Sequence, residues 1–324
     1  MELYMSIILK YLLVFITLFV LEFVYFRIAD KFNIIDKPNK RSSHDYITIR
    51  GGGIVFWLAG LIFSVLYLSD SVYFMIGITL ISIVSFWDDV SSLPNKIRIV
   101  IHFIAISCVF YGLGLFTELN WLLVIVAYIF FVGILNAYNF MDGINGITGL
   151  YSLVVLIALQ VVNCQFVTFT TPEFINYAIL ACIVFLFFNF RKKAKCFAGD
   201  IGSMAISFWI LTLLLQLMLK TNSVIWIMFL AIYGVDTVLT ILHRIYLKQN
   251  IFEAHRLHFY QIMCNEKHLS HRLVSSIYAV IQLVICLTII YVYFNLQNAT
   301  IIFAAAILII LTLIYLLKFR FLKR

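Results

Sequence analysis

The run FAGDIGSMAISFWILTLLLQLML, residues 197–219, decides the fold of this chain. From residue 201 to residue 219 it contains no charged side chain, and a helix needs about 20 predominantly apolar residues to cross a bilayer. Ten further apolar runs occur, at 4–26, 51–69, 72–87, 99–117, 120–138, 147–167, 175–190, 224–242, 273–295 and 299–317. The sequence therefore predicts an all-α integral membrane protein, in which residues 1–324 form a single polytopic bundle of about 11 transmembrane helices.

The composition excludes a water-soluble protein. Of the 324 residues, 64% are hydrophobic and 12% are charged, whereas a soluble domain carries about 25% charged residues. A disordered chain is excluded for the same reason, since disorder requires low hydrophobicity and high charge. The six cysteines are scattered without the spacing of a metal site, and we interpret them as small apolar side chains.

The basic residues indicate how the bundle is oriented. Of the 23 lysines and arginines, 21 fall in the alternate connections 27–50, 88–98, 139–146, 191–200 and 243–272 and in the tail 318–324. Because these residues collect in cytoplasmic loops, this side is predicted to be cytoplasmic, with the N-terminus outside and the C-terminus inside. The same rule accounts for the net charge of +8 without a nucleic-acid partner. These five loops also carry the polar motifs, so we expect them to form the active face.

The first motif is the pair Asp88-Asp89 at the end of the third run. Two adjacent carboxylates at the edge of an apolar helix repel each other unless a cation or another polar partner neutralises them. Mg²⁺ suits such ligands, because it is usually held by one or two carboxylates together with substrate phosphates. A helix end that is simply solvated is the alternative. Lys96 and Arg98 follow, and they are either phosphate contacts or ordinary basic residues of a cytoplasmic loop.

The second motif closes the fifth run. Asn136, Asn139 and Asp142 are spaced three apart and therefore share one helical face, and glycines follow at 143 and 146. Such a face is costly at membrane depth unless it meets a polar partner. It predicts either a substrate site or a helix-packing seam joined by asparagine hydrogen bonds.

The third motif, Ala198-Gly199-Asp200-Ile201-Gly202-Ser203, follows the basic run of residues 191–195. An aspartate at a helix start is often only an N-cap, because its oxygen accepts hydrogen bonds from free backbone N–H groups. The same N–H groups, next to several cations, are also suited to holding a metal–phosphate group. The sequence leaves both interpretations open.

Two loops add basic residues. His255, Arg256 and His258 lie within four residues of one another, which suits anion recognition by the planar arginine fork, although a basic patch against lipid headgroups is the alternative. The segment from Asp36 to His44, followed by Arg50 and three glycines, can bring bare backbone N–H groups to an anion.

In this order the motifs resemble those of the polyprenyl-phosphate N-acetylhexosamine-1-phosphate transferases, a family that includes the initiators of O-antigen and teichoic-acid linkage synthesis and the peptidoglycan translocase. The resemblance runs from about residue 36 to about residue 261. It rests above all on Asn-x-x-Asn-x-x-Asp-Gly at 136–143 and Gly-Asp-x-Gly-Ser at 199–203. Eleven spans with the N-terminus outside also resemble the initiating branch.

The resemblance implies an enzyme of the bacterial inner membrane that transfers an N-acetylhexosamine-1-phosphate from a UDP-sugar to undecaprenyl phosphate. The reaction releases UMP and starts a cell-surface polysaccharide such as O-antigen of lipopolysaccharide. It implies Mg²⁺ as cofactor, with Mn²⁺ as a substitute, and it is compatible with a homodimer. The active site would face the cytoplasm.

The resemblance also assigns residues. Asp88 and Asp89 would include the base or nucleophile, Asp142 would be catalytic with Asn139 beside it, and Asp200 and Asp89 would bind the metal. The residues that would contact substrate are Asn136, Asn139, Arg98, Lys96, His44, Arg50, His255, Arg256 and His258. Two departures are visible: Asn145 stands where relatives often have aspartate, and the histidine loop is not a compact histidine run, so the donor sugar stays open.

A secondary transporter is the competing interpretation, because carboxylates within membrane spans often bind coupling ions. Asp236, inside the ninth run, is such a residue, and we expect it to pair with Arg244 or with a basic residue across the bundle. Transporters place these carboxylates near the bilayer midplane and often contain repeats. Here the other carboxylates lie at span ends and no repeat is visible, which favours the enzyme. A membrane scaffold would leave the Asp and Asn clusters unexplained.

Overall fold

The computed structural model describes residues 2–36, 46–250 and 255–322. This part of the chain is almost entirely helical. Its helices are α1 (Glu2–Lys31), α2 (Ile54–Leu66), α3 (Leu68–Val90), α4 (Asn95–Gly112), α5 (Leu115–Glu118), α6 (Trp121–Met141), α7 (Ile147–Gln165), α8 (Pro172–Asn189), α9 (Gly199–Thr221), α10 (Ala231–Tyr246), α11 (Phe259–Asn265), α12 (His271–Asn295) and α13 (Thr300–Leu322). A 3-10 helix, Val224–Leu230, leads into α10.

Ten helices in the described ranges are long and apolar enough to cross a membrane, which confirms an all-α polytopic membrane protein but corrects the predicted number of eleven. The run 51–69 accounts for the difference, because it folds as the 13-residue helix α2. At 1.5 Å per residue such a helix rises about 20 Å, less than the roughly 30 Å of a hydrocarbon core. The first three residues of the run, Gly51, Gly52 and Gly53, form a loop before α2, and the chain reverses direction at Tyr67. The side on which each terminus lies stays a prediction.

Although α2 is short, it forms an antiparallel hairpin with α3. The indole Nε1 of Trp57 donates to Thr79 Oγ1 at 3.2 Å, and the hydroxyl of Ser71 lies 3.4 Å from the Ser64 carbonyl oxygen. The start of α2 and the end of α3 therefore lie at the same end of the bundle. This arrangement brings the residues before α2 next to Asp88 and Asp89.

Helix α9 lies at the centre of the bundle. It is surrounded by α2, α3, α6, α7 and α8, and its residues from Ile201 to Leu214 are all buried. Most of its hydroxyls bond to their own helix; Ser207, for example, donates to the Ser203 carbonyl at 2.6 Å. This burial explains why residues 201–219 carry no charge. By contrast, α13 exposes apolar side chains such as Ile301, as expected of a helix that faces lipid.

A small sheet closes one end of the bundle. Strand β1 (Ile35–Asp36) pairs antiparallel with β2 (Thr48–Ile49), and Ile49 forms a parallel bridge with Cys196. The loops that precede α2 and α9 are thereby held side by side. The end at which they meet carries the polar motifs.

Candidate active site

Backbone hydrogen bonds fix the loop that carries Arg50 against the start of α9. The N–H groups of Gly52 and Gly53 donate to the carbonyls of Phe197 and Ala198 at 2.8 and 3.0 Å. The chain can approach so closely because the facing positions are glycines: a Cβ on Gly53 would lie 2.2 Å from the Cα of Gly202. Arg50 is therefore presented to the N-terminus of α9 by main-chain geometry.

Asp89 is the most enclosed carboxylate of the site, with a side chain that is 0% exposed. Its Oδ1 accepts the N–H of Asp200 at 2.9 Å and the Nε–H of Arg50 at 2.7 Å, and its Oδ2 accepts the N–H of Ile201 at 3.0 Å. Asp89 thus caps the N-terminus of α9 from another helix, where the free N–H groups favour a negative charge. Its oxygens are largely used by protein donors.

Gly199 makes this cap possible. It has a φ of +71°, in the left-handed region that favours glycine, and a Cβ there would lie 2.6 Å from Asp89 Oδ2. The glycine before Asp200 is therefore required both by the backbone and by the approach of the carboxylate.

Asp88 and Asp200 form the accessible half of the cluster. Arg98 joins them, with Nη1 at 2.8 Å from Asp88 Oδ2 and Nη2 at 3.6 Å from Asp200 Oδ2. Arg50 Nη2 lies 3.8 Å from the other oxygen of Asp200. The side chains of Asp88 and Asp200 are 12% and 17% exposed. Both long contacts to Asp200 exceed hydrogen-bond length, so its oxygens can still accept a ligand.

Two guanidinium groups thus stand among three carboxylates. Burial opposes the charge of Arg50, but Asp89 and Asp200 outweigh it and raise the pKa of Arg50 above its ordinary value. Arg50 therefore stays charged. With all three carboxylates ionised the cluster carries one net negative charge. Its arginines can exchange partners when a phosphate arrives, because arginine forms planar paired hydrogen bonds to phosphate as well as to carboxylate.

Asp142 and Asn139 border the cluster at the end of α6. Burial raises the pKa of Asp142 to about 7, the charge of Asp200 adds to this, and the hydroxyl of Thr148 donates to Asp142 Oδ1 at 2.7 Å. Asn139 Oδ1 accepts from Ser203 at 3.4 Å and so ties α6 to α9. Asn136, by contrast, donates to the Val132 carbonyl of its own helix at 2.8 Å.

The histidine loop forms a second layer. His258 Nδ1 lies 3.3 Å from Asp236 Oδ1, so Asp236 pairs with the histidine loop. His255 lies against it, with ring centroids 4.9 Å apart; burial, together with the charges of His258 and Arg244, lowers the pKa of His255 to about 3. The loop is therefore neutral at His255 near pH 7.

Tyr260 joins this layer to the first, and the sequence argument did not assign it. Its hydroxyl donates to the carbonyl of Phe140, two residues before Asp142, at 3.0 Å. A Cβ on Gly143 would lie 2.2 Å from the Tyr260 hydroxyl oxygen. The glycine after Asp142 was the available signal, because it marks a close approach whose partner the sequence alone does not name.

Asn145 is a structural centre rather than a substitute carboxylate. Its Nδ2 donates to the Arg191 carbonyl at 2.9 Å and to the Tyr46 hydroxyl at 3.3 Å, and its own carbonyl accepts from Ser275 at 2.8 Å. An aspartate could not make the first of these bonds, because a carboxylate has no N–H.

Two of the three remaining predicted residues, Lys96 and Arg256, lie within the described part of the chain. Lys96 is exposed at the start of α4, and Arg256 is half-buried in the histidine loop. His44 lies outside the described residues. The roles of these three residues stay predictions.

Within the described ranges, no group of three or more His, Cys, Asp or Glu side chains is arranged to hold a metal ion. Metal binding by Asp89 and Asp200, which the resemblance implies, stays a prediction. In this structure Asp89 is engaged with the start of α9 and with Arg50. Two carboxylates, Asp88 and Asp200, retain some exposure, and this is a donor set that Mg²⁺ completes with water and phosphate.

The arrangement is that of a membrane-embedded enzyme for phosphorylated substrates. The sequence model described as glycosyl transferase family 4 matches residues 71–218, a segment that contains the four aspartates at positions 88, 89, 142 and 200. The chain is 27% identical over 288 residues to a Bacillus subtilis (strain 168) protein named "Probable undecaprenyl-phosphate N-acetylglucosaminyl 1-phosphate transferase". The alignment covers 83% of this chain and 77% of the relative. The chain is therefore similar to glycosyl transferase family 4 over residues 71–218.

Proposed function

We propose that this protein transfers an N-acetylhexosamine-1-phosphate from a UDP-sugar to undecaprenyl phosphate, giving undecaprenyl-diphosphate-sugar and UMP, as the first step of a cell-surface polysaccharide. One observation carries the proposal. Arg50 and Arg98 stand between Asp89, Asp88 and Asp200 at one end of a membrane bundle. The match of residues 71–218 to the glycosyl transferase family 4 model and the printed name of the Bacillus subtilis relative support the same reaction.

The reaction explains why arginines are needed. An oxygen of the acceptor phosphate attacks the phosphorus that carries the sugar, and the bond from that phosphorus to the oxygen of UMP breaks. The second pKa of a phosphate monoester is about 6, so the acceptor is mostly a dianion at pH 7 and needs little help to lose a proton. The larger barrier is the repulsion between two anionic reactants, which Arg50 and Arg98 reduce.

Mg²⁺ is part of the proposal, with Mn²⁺ as a substitute. Asp88 and Asp200 would hold it, since both retain some exposure and both lie beside Arg98. When bound, the metal supplies positive charge that offsets the developing charge on the phosphates. Asp89 positions Arg50 and the start of α9, and therefore Asp200, instead of contacting the ion.

The proposal places the site in a bacterial inner membrane on the cytoplasmic face, because the basic loops lie at this end of the bundle. UDP-N-acetylglucosamine is the first donor to test, given the name of the relative. A transporter is disfavoured, because Asp88, Asp89 and Asp200 lie at helix ends and not at mid-span.

The test is a transfer assay in membranes that contain the full chain, undecaprenyl phosphate, a panel of radiolabelled UDP-N-acetylhexosamines and Mg²⁺. We expect lipid-linked label with the wild type and a loss of at least about a hundredfold in Asp88→Asn and Asp200→Asn, since each removes a charge that acts in the transition state. Asp30→Asn is the matched control, because Asp30 is exposed on α1. Full activity of both site variants would overturn the proposal.

A further inference from the structure

Helix α13 lies outside the segment that the family model matches, yet it places charged and polar side chains against the histidine loop. Lys318 is 0% exposed and Tyr315 is 4% exposed. They are three residues apart and so lie on one face of α13. A fully buried ammonium in a membrane bundle is costly unless hydrogen bonds compensate for the lost hydration, so the hydrogen bonds of Lys318 are informative.

These side chains begin a continuous line of hydrogen bonds. Lys318 Nζ donates to the Tyr315 hydroxyl at 2.5 Å, and that hydroxyl lies 2.9 Å from Thr240 Oγ1. Thr240 Oγ1 in turn lies 3.2 Å from Asp236 Oδ1. Thr240 is one turn beyond Asp236 on α10, so the two share the face that meets α13.

The two ends of this line have fixed roles, because an ammonium only donates and a carboxylate only accepts. Both hydroxyls fit this polarity when Tyr315 donates to Thr240 and Thr240 donates to Asp236. The Leu257 carbonyl, 3.5 Å from Thr240 Oγ1, is a second acceptor for the threonine hydroxyl. Bonds aligned in this way strengthen one another, and the loss of either hydroxyl leaves its buried neighbours unpaired.

The line ends on the backbone and ring of the histidine loop. Besides Thr240, Asp236 accepts the N–H of Phe259 at 3.0 Å and the hydroxyl of Tyr278 at 2.7 Å, and it lies 3.3 Å from His258 Nδ1. His258 is buried, and its Nε2 has no hydrogen-bond partner within the described ranges. A ligand group that reaches the loop would meet this nitrogen.

We propose that Tyr315 and Thr240 are positioning residues: through Asp236 they fix the ring of His258 and the first turn of α11, and so they set the affinity of the loop for the diphosphate of the donor. This inference rests on the proposed function for the identity of the ligand. It assigns α13 a part in donor binding. It requires no contact between α13 and the substrate.

The test combines the full chain in detergent with two readouts. The variants are Tyr315→Phe and Thr240→Val, which remove one hydroxyl each. Thr240→Ser keeps the hydroxyl and serves as the conservative rescue. Two controls are matched by substitution: Thr312→Val on α13, whose hydroxyl bonds to its own helix at Leu308, and Tyr293→Phe on α12, whose hydroxyl lies 3.4 Å from the Thr221 carbonyl.

The first readout, hydrogen–deuterium exchange, needs no activity. We expect faster exchange over residues 255–265 in Tyr315→Phe and Thr240→Val, with no change over residues 199–221 and no change in the other three variants. The second readout is kinetic. The KM for the UDP-sugar should rise about tenfold in those two variants, while kcat and the KM for undecaprenyl phosphate change by less than about twofold.

Unchanged exchange over residues 255–265 would overturn the positioning role whether or not the enzyme is a transferase. Faster exchange with an unchanged KM for the UDP-sugar would overturn the link to donor binding. Faster exchange in a chain whose wild type neither binds nor transfers any UDP-sugar would support the positioning role and overturn the proposed function together with the donor assignment.

Discussion

The carboxylate of Asp89 accepts the backbone N–H of Asp200 at 2.9 Å. Two aspartates to which the sequence argument gave one metal-binding role therefore act at different levels. Asp89 builds the helix end from which Asp200 projects, and Asp200 keeps oxygens that a ligand can use. This division of labour leads to separate predictions for the two residues.

Asp89→Asn should lower the stability of the fold more than Asp88→Asn does, because the Asp89 side chain is 0% exposed and the Asp88 side chain is 12% exposed. The first change leaves Arg50 without its buried partner and replaces one acceptor oxygen by an N–H group that faces the donors of α9. Breaking a buried ion pair from one side costs about 3–5 kcal/mol. Thermal unfolding in detergent measures the difference. An unfolding midpoint for Asp89→Asn equal to that of Asp88→Asn would contradict the capping role.

Gly199→Ala should destabilise the protein more than a glycine-to-alanine change at an uncrowded helix position does. The alanine would have to adopt a φ of +71°, and its Cβ would lie 2.6 Å from Asp89 Oδ2. We expect a loss of about 2 kcal/mol or more from the backbone strain and the displaced cap. Gly234→Ala is the control, because a Cβ there meets nothing within 4 Å. Measured unfolding free energies that are equal for both variants would refute the account of the cap.

Asp142 should give the protein a pH-dependent stability. Its pKa rises from the ordinary value of 3.8 to about 7 in the folded chain. The folded state therefore binds more protons than the unfolded state between these two values, so the free energy of unfolding decreases as the pH rises from about 4 to about 7. Asp142→Asn should flatten this slope. Unfolding midpoints at a series of pH values test it, and an unaltered slope in the variant would speak against the raised pKa.

Asn145→Asp should lower the stability of the protein. The change removes the N–H group that donates to the Arg191 carbonyl and sets a carboxylate, 1% exposed at this position, against that oxygen. We expect a cost of about 2 kcal/mol. Asn295→Asp is the matched control, because Asn295 is exposed and its side chain donates to a carbonyl of its own helix, that of Tyr291. Equal stability of wild type and Asn145→Asp would show that the position tolerates either residue.

The helical bundle could be predicted because a membrane-spanning helix must have a minimum length and must be predominantly apolar, and both properties can be read from the sequence. The exception, α2, shows what the run length misses. Residues 51–69 are apolar throughout, but the glycines at 51–53 are taken by a loop that pairs with residues 196–198. A hydropathy profile carries no information on such a long-range backbone contact.

The site was predictable by residue type and by its place at one end of the bundle, and less so by role. Adjacent aspartates and a glycine-flanked Asp200 indicate charge at the same end of the bundle. Which carboxylate stays accessible depends on the rotation of α3 against α9, and that rotation is set by packing in three dimensions. Tyr260 and Tyr315 were missed for the same reason, since single tyrosines in apolar helices usually signal no more than burial.

The most direct measurement of the central claim is the identity of the nucleotide released per lipid-linked sugar. Membranes with the full chain, undecaprenyl phosphate and a donor labelled in both the uracil and the sugar should yield equal amounts of UMP and lipid-linked label. That ratio requires the sugar to move together with one phosphate. Release of UDP, or UMP without labelled lipid, would contradict the account.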